Sequence, residues 1–308
     1  MTSTLAFLFP GQGSQAVGMQ TGLSHERFVE ADRVLGFLLS RLIAEGPESE
    51  LQRTENTQPA ILATSLGWAD HLAARGLRPV AVAGHSLGEY SALVYAEAMD
   101  YADALRLVRL RGQAMQSAVP EGQGAMAAIV GLSARTVADS CSEASIDVSS
   151  ACQPANFNGG GQVAIAGHSE AVERAMTLCK EKGAKLCKRL PVSAPFHSAL
   201  MAPAARELEE ALATVTIRAP SLPVLSNVTA KPHTTANEIR HLLVEQVTAS
   251  VRWEESVLAL VESGITEAFE VGPGRVLAGL VRRIAPQVRM RSLDEPSNIA
   301  KINEANRD

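Results

Sequence analysis

The sequence predicts an α/β fold in which a parallel sheet flanked by helices is interrupted by one small antiparallel unit. Three observations carry that prediction. Short apolar runs alternate with long amphipathic segments over about residues 4–116, as in strands joined by crossover helices. One of those runs leads straight into a serine flanked by glycines. Between about residues 125 and 193 the order becomes βαββαβ, the ferredoxin-like pattern. The expected division is a large unit formed by 1–124 and 194–308, with 125–193 inserted as a small domain.

Element by element, Thr4–Phe9 reads as a short buried strand closed by Pro10-Gly11. A long helical region is expected from about Ser24 to Ala44. A second helix follows over Gln58–Arg75, with Pro59 in its first turn. Pro79–Ala83 is a compact apolar strand that ends in Gly84-His85-Ser86-Leu87-Gly88. Helical periodicity resumes over Leu87–Ala98 and Asp100–Gln116. In the middle, Ala125–Leu132 is a strand and Ser133–Ala144 a helix capped by Ser133. Ile146–Ala151 and Gln162–Ala166 are expected as two strands joined by the turn-rich Asn156–Gly161. Ser169–Lys182 is a helix, with Ser169 as its cap and Gly183 as its stop. Lys185–Pro191 supplies a last strand, and about the last ten residues are expected to fray.

Composition narrows the function. A chain of 308 residues with 46% hydrophobic and 20% charged side chains is that of a folded globular protein. A formal charge of −5 and an aromatic content of 4% argue against a general nucleic-acid binder. Cys141, Cys152, Cys179 and Cys187 form no Cys-x-x-Cys pair, and no His-x-x-x-His lies near them, so no metal site is expected. They read as reduced thiols of a cytoplasmic protein. No basic segment precedes Leu5–Phe9 and no apolar run is long enough to span a bilayer, so no membrane partner is expected.

Gly84-His85-Ser86-Leu87-Gly88 admits two readings, an ordinary glycine-rich turn or a nucleophile elbow. Its setting between an apolar strand and an amphipathic helix favours the elbow. There the serine hydroxyl stands at a helix N-terminus, where free N–H groups stabilise developing oxyanion charge. Such a serine needs a base. Among the seven histidines, His25, His71, His233 and His241 lie among polar neighbours and read as surface residues. His168 reads as a turn residue, and His85 as a support for the elbow. His197 remains, in a loop stiffened by Pro191 and Pro195 at the junction of the two units, either a base facing a cleft or a structural residue. No acid stands out as a third member, which points to a Ser–His dyad.

Along Asp100–Gln116, at about 100° per residue, Tyr101, Ala104, Leu105, Val108 and Met115 form one apolar arc. Arg106 and Arg109 fall outside it and Arg111 inside. A guanidinium aimed at the buried side needs a counter-charge, from either a buried Asp or Glu or a substrate carboxylate. Gly11-Gln12-Gly13-Ser14-Gln15-Ala16 mimics a dinucleotide fingerprint. The expected second strand with its ribose-binding acid is missing, because the region of Glu30 and Asp32 reads as helix. A tight loop beside the elbow, with Gln12 able to donate an amide hydrogen bond, is the better reading.

Together these segments resemble malonyl-CoA:acyl-carrier-protein transacylases over nearly the whole chain. The resemblance is carried by Phe9-Pro10-Gly11-Gln12-Gly13-Ser14-Gln15 and by Gly84-His85-Ser86-Leu87-Gly88-Glu89-Tyr90. It continues in Arg109–Gln116, in Ala194-Pro195-Phe196-His197-Ser198-Ala199-Leu200-Met201 and in Glu270-Val271-Gly272-Pro273-Gly274. It implies an α/β-hydrolase-like core with a ferredoxin-like insertion. It further implies Ser86 as nucleophile, His197 as base, Arg111 as the holder of malonate's free carboxylate, and Gln12 with the Leu87 N–H near the oxyanion. The Leu243-Val244-Glu245-Gln246 segment implies that the Gln246 carbonyl orients the histidine. Phe196 stands where many housekeeping members carry a small residue, and its bulk favours malonyl over methylmalonyl.

What the resemblance implies is malonyl transfer from malonyl-CoA to the phosphopantetheine thiol of acyl carrier protein in fatty acid biosynthesis, with no metal or redox cofactor. A discrete trans-acting malonyl acyltransferase of a polyketide synthase is the nearest alternative. A serine hydrolase or thioesterase, or a non-catalytic carrier-binding protein, is more distant. An acidic carrier calls for a basic face. Lys180, Lys182, Lys185, Lys188 and Arg189, offset by Glu181 alone, give +4 over ten residues, read as either a docking patch or a solvated helix end.

Overall fold

The computed structural model describes residues 4–146, 150–192 and 194–293. The first strand, β1 (Leu5–Phe9), is buried along its whole length. Leu5, Phe7 and Phe9 enter one hydrophobic cluster while Ala6 and Leu8 enter another. This period-two division is what a strand covered on both faces requires. Helices α1 (Glu26–Leu35), α2 (Leu39–Glu45), α3 (Glu48–Leu51) and α4 (Thr54–Ala73) follow. The helical region expected over about Ser24–Ala44 is divided into α1 and α2, because Gly36 adopts φ 74° and its N–H closes on the Asp32 carbonyl, ending α1.

The α4 helix also begins earlier than the sequence predicts, so Pro59 lies inside it rather than in its first turn. Proline cannot bond the carbonyl four residues back. That carbonyl, on Glu55, accepts instead from Arg109 Nη1 at 3.0 Å. Strand β2 (Ala81–Gly84) leads into α5 (Gly88–Tyr95), and α6 (Tyr101–Ser117) packs against α4. Gly112 makes this crossing close, since a Cβ there would lie 2.7 Å from the Cα of Glu55.

The middle section runs β3 (Gly124–Val130), α7 (Ala134–Ala144), β4 (Cys152–Gly159), β5 (Gln162–His168), α8 (Ser169–Glu181) and β6 (Leu186–Arg189). These strands form an antiparallel sheet in the order β4-β5-β3-β6. Ala125, Ala127 and Ile129 pack under α7 and α8, whereas Met126 faces the main core. Ser133 caps α7 by accepting from the Thr136 N–H at 3.1 Å. The N-cap of α8 is His168, while Ser169 Oγ donates to the Gly122 carbonyl. Of the strand expected over Ile146–Ala151, residues 147–149 lie outside the described residues. The partner of β5 is β4, which passes through the expected Asn156–Gly161 turn with register shifts at Pro154/Asn156 and Phe157/Gly159. Only Gly160 and Gly161, at φ 59° and 74°, make the turn.

After a 3-10 turn at Ala199–Met201 come α9 (Ala202–Leu212), β7 (Val224–Leu225), α10 (Ala236–Gln246), α11 (Trp253–Glu262), β8 (Glu267–Val271), α12 (Val276–Ile284) and β9 (Arg289–Leu293). The second sheet has the order β7-β2-β1-β8-β9 with every neighbouring pair parallel. The α/β fold class read from the sequence is the one observed. Ser193 and the C-terminal segment expected to fray lie outside the described residues. No helix of the described residues is long and apolar enough to cross a membrane.

Candidate active site

Strand β2 ends at Gly84 and α5 begins at Gly88, so the backbone reverses within Gly84–Gly88. A Cβ on Gly88 would lie 2.1 Å from the Phe9 carbonyl oxygen, so only glycine fits against β1. Ser86 is forced to φ 54° at the apex. Its hydroxyl stands beside the amino end of α5, and Leu87 lines the same cavity. The elbow is clasped from outside. Asn227, just after β7, accepts from the Ser86 N–H at 2.6 Å and donates to the Gly84 carbonyl at 2.7 Å.

His197 comes from the loop after β6 and also has positive φ, 57°. Nε2 lies 2.7 Å from Ser86 Oγ and Nδ1 lies 2.8 Å from the Gln246 carbonyl. Gln246 is the last residue of α10, where helix carbonyls lack an intrahelical partner. A carbonyl only accepts, so Nδ1 carries the proton and the Nε2 lone pair faces the Ser86 hydroxyl. Burial, joined by the nearby Arg111 charge, pushes the His197 pKa down to about 3. The ring is therefore neutral at physiological pH, the form a general base requires.

Arg111 enters from α6 and is 2% exposed. Nη1 donates to Gln58 Oε1 at 2.9 Å, and Nη2 donates to Ser86 Oγ at 3.1 Å and to Gln246 Oε1 at 3.0 Å. Nε is buried with no partner among the described residues. Of the two counter-charges considered for Arg111, a directly paired Asp or Glu does not occur among the described residues. Its contacts are neutral, and burial lowers its pKa. A desolvated guanidinium with neutral partners beside the Ser86 hydroxyl is chemically suited to receive a carboxylate.

These groups border a cavity of about 130 Å³, well below the roughly 300–1,000 Å³ of pockets for drug-sized ligands. Gln12, Gln58, Ser86, Arg111 and His197 supply its polar wall, and Met126, Leu190, Val192 and Phe196 much of the apolar one. Gln12 Nε2 donates to Thr54 Oγ1 at 3.2 Å, which sets its amide plane. The structure thus brings Ser86, His197, Arg111 and Gln246 into hydrogen-bond contact, and sets Gln12, Leu87 and Phe196 around them. Lys180, Lys182, Lys185, Lys188 and Arg189 are exposed outside the cavity.

A family model described as acyl transferase domain matches residues 6–293. The malonyl CoA-acyl carrier protein transacylase of Escherichia coli O157:H7 is 48% identical over 97% of this chain and 98% of its own length. The chain belongs to the malonyl-CoA:acyl-carrier-protein transacylase family. Among solved structures, an acyl carrier protein S-malonyltransferase from Vibrio cholerae superposes with a TM-score of 0.94 at 44% identity, covering 97% of this chain and 100% of that one. A malonyl-transacylase in complex with its type II PKS acyl-carrier protein matches with the same score and identity, over 98% of this chain and 100% of that one.

Within this transacylase framework the site contains residues that sequence reasoning missed. Gln58, Asn227, the Gln246 side chain and His233 all belong to its polar scaffold. His233, read as a surface residue, is 6% exposed and donates through Nε2 to Glu89 Oε1 at 2.7 Å. The polar neighbours that suggested exposure belong to a turn that folds back on β7, with the His233 N–H on the Val224 carbonyl. Gln58 carried no distinguishing signal, since Thr54, Asn56, Thr57, Thr64 and Ser65 are also polar and buried along α4.

Proposed function

We propose that this chain is an acyltransferase that moves the malonyl group from malonyl-CoA to the phosphopantetheine thiol of an acyl carrier protein through an ester on Ser86. The observation that carries the reading is Arg111, buried and neutrally partnered at 3.1 Å from the Ser86 hydroxyl. A receptor for negative charge at that distance selects an acyl group that ends in a carboxylate.

The cycle is ping-pong. His197 Nε2 takes the Ser86 proton as Oγ attacks the thioester carbonyl. The tetrahedral oxyanion faces the Leu87 N–H and the Gln12 amide, each donor worth about 3–4 kcal/mol of barrier. Collapse breaks the C–S bond, and the departing CoA sulfur takes the proton from His197. In the second half the carrier thiol gives its proton to His197 and attacks the ester carbonyl, and Ser86 Oγ leaves with that proton. The cycle draws on protein side chains, backbone groups and the two thiol carriers, and its steps need no metal or redox cofactor. The Phe196 ring on the cavity wall leaves little room for an α-methyl, which favours malonyl over methylmalonyl.

For docking of an acidic carrier, Lys182 and Arg189 are paired with Glu143 and Glu173, at 2.8 and 2.9 Å. Lys180, Lys185 and Lys188 have no ion pair among the described residues, so the positive face rests on them. The chain leads directly from Arg189 to Leu190 and Val192 in the cavity wall, which favours a carrier arm entering beside β6. Four free cysteines suit a reducing cytoplasm. Fatty acid synthesis is the proposed setting. Supply of a polyketide carrier is the second reading, favoured by the similarity to the transacylase bound to a type II PKS carrier.

The test is intact-protein mass after brief incubation with malonyl-CoA or methylmalonyl-CoA, with Ser86→Ala as control. A single malonyl adduct is expected, absent from the variant and discharged by holo acyl carrier protein. Free malonate released without a carrier would make the protein a hydrolase. An equal methylmalonyl adduct would overturn the role given to Phe196.

A further inference from the structure

Glu89 takes no part in the transfer steps, yet it lies three residues after the nucleophile with no exposure at all. Three donors converge on its carboxylate. Oε2 accepts from the Asn227 backbone N–H at 3.0 Å and from Gln246 Nε2 at 2.8 Å, while Oε1 accepts from His233 Nε2 at 2.7 Å. The turn after β7 delivers His233. Ser226 N–H closes on the Lys231 carbonyl and His233 N–H on the Val224 carbonyl, both at 2.9 Å.

The other two donors belong to residues that hold the reacting groups. Asn227 clasps the elbow around Ser86. Gln246 joins four parts of the site: its Oε1 accepts from Arg111, its Nε2 also donates to the Ser86 carbonyl at 3.1 Å, and its backbone carbonyl accepts from His197. A primary amide is nearly symmetric in shape, so its two ends are told apart by what they face. Here a carboxylate at one end demands the NH₂, which leaves the oxygen for the Arg111 guanidinium.

We propose that Glu89, braced by His233, is a positioning residue that fixes the Gln246 amide and thereby aims Arg111 at the free carboxylate of the substrate. The inference rests on the malonyl-transfer reading. In Glu89→Gln the shape is kept and the charge is lost, so the Gln246 NH₂ is held by neutral acceptors alone, the Ser86 carbonyl among them. The amide is then less firmly placed, and the guanidinium that donates to its oxygen is less firmly aimed. An acetyl group has no carboxylate to be aimed at, so its loading should change much less.

The experiment measures loading of Ser86 from malonyl-CoA and from acetyl-CoA by intact mass, in wild type, Glu89→Gln, His233→Leu and His233→Gln, with a thermal melt for each. In Glu89→Gln the malonyl KM should rise and the malonyl-to-acetyl ratio fall about ten- to hundredfold. The ratio should fall about three- to tenfold in His233→Leu and recover in His233→Gln, which restores an N–H donor. If Glu89→Gln does not fold, the two His233 variants decide alone. A ratio unchanged in the folded variants, or malonyl and acetyl loading lost in parallel, would reduce Glu89 to a structural role. A wild type without any malonyl ester would overturn the functional reading and this inference with it. A wild-type ester whose selectivity the variants leave untouched overturns this inference alone.

Discussion

His197 is buried beside a guanidinium, and both features oppose its protonation. A histidine whose folded pKa falls from 6.5 to about 3 keeps its neutral form in the native state while the unfolded chain takes up a proton. Its contribution to stability is thus complete above pH 6.5 and is lost as pH falls toward 3. Acylation should follow the same rule. With malonyl-CoA, kcat/KM should show no acid limb centred near 6.5, and a limb there in a pH–rate profile would mean that His197 is solvated. At this scale Ser86, His197 and Arg111 were legible as candidates, because a local motif, a stiff loop and a helical arc each leave a mark in the sequence; the structural alternatives for His197 and Arg111 were narrowed only by the family resemblance. Glu89, Asn227 and His233 were not. Their contacts join residues 138 and 144 positions apart, and nothing local in the sequence distinguishes a buried polar clasp from an exposed one.

The nucleophile elbow is an element whose shape is fixed by contact with its neighbours. Gly88→Ala would press a methyl group against the Phe9 carbonyl oxygen at 2.1 Å. Relief requires α5 to move off β1, at a cost of about 3–5 kcal/mol. The melting temperature should fall by about 5–8 °C, and a variant that melts like wild type would show that the elbow is not rigid. Removing the clasp with Asn227→Ala should lower kcat about ten- to hundredfold, since the Ser86 N–H loses its acceptor next to the nucleophile. Single-turnover loading would read this directly, and an unchanged rate would discount the clasp. Strand and helix order up to β6 was largely readable from periodicity, whereas the elements after it were not read individually. Boundaries failed where tertiary contacts override local preference. Arg109 rescues the carbonyl that Pro59 leaves unbonded, and so α4 extends past a residue that normally starts or stops a helix. Similarly, β4 continues through Asn156 and Asn158 because β5 pairs with it on either side of its bulges.

Across the whole molecule, the fold sets a serine from the parallel sheet against a histidine from the loop that returns from the antiparallel one. The chain that closes the cavity begins at the lysine-rich end of β6. Reversal of Lys180, Lys185 and Lys188 to Glu should raise the carrier KM about tenfold or more at low salt and leave malonyl loading from CoA unchanged. A carrier KM that does not move would exclude this face. The central claim is that Arg111 makes the Ser86 ester specific for a carboxylate-bearing acyl group. Its most direct test is the ratio of malonyl to acetyl loading rates on Ser86 in wild type and in Arg111→Ala. The ratio should collapse by about a hundredfold or more through loss of the malonyl rate; equal losses for both acyl groups would contradict a carboxylate-binding role.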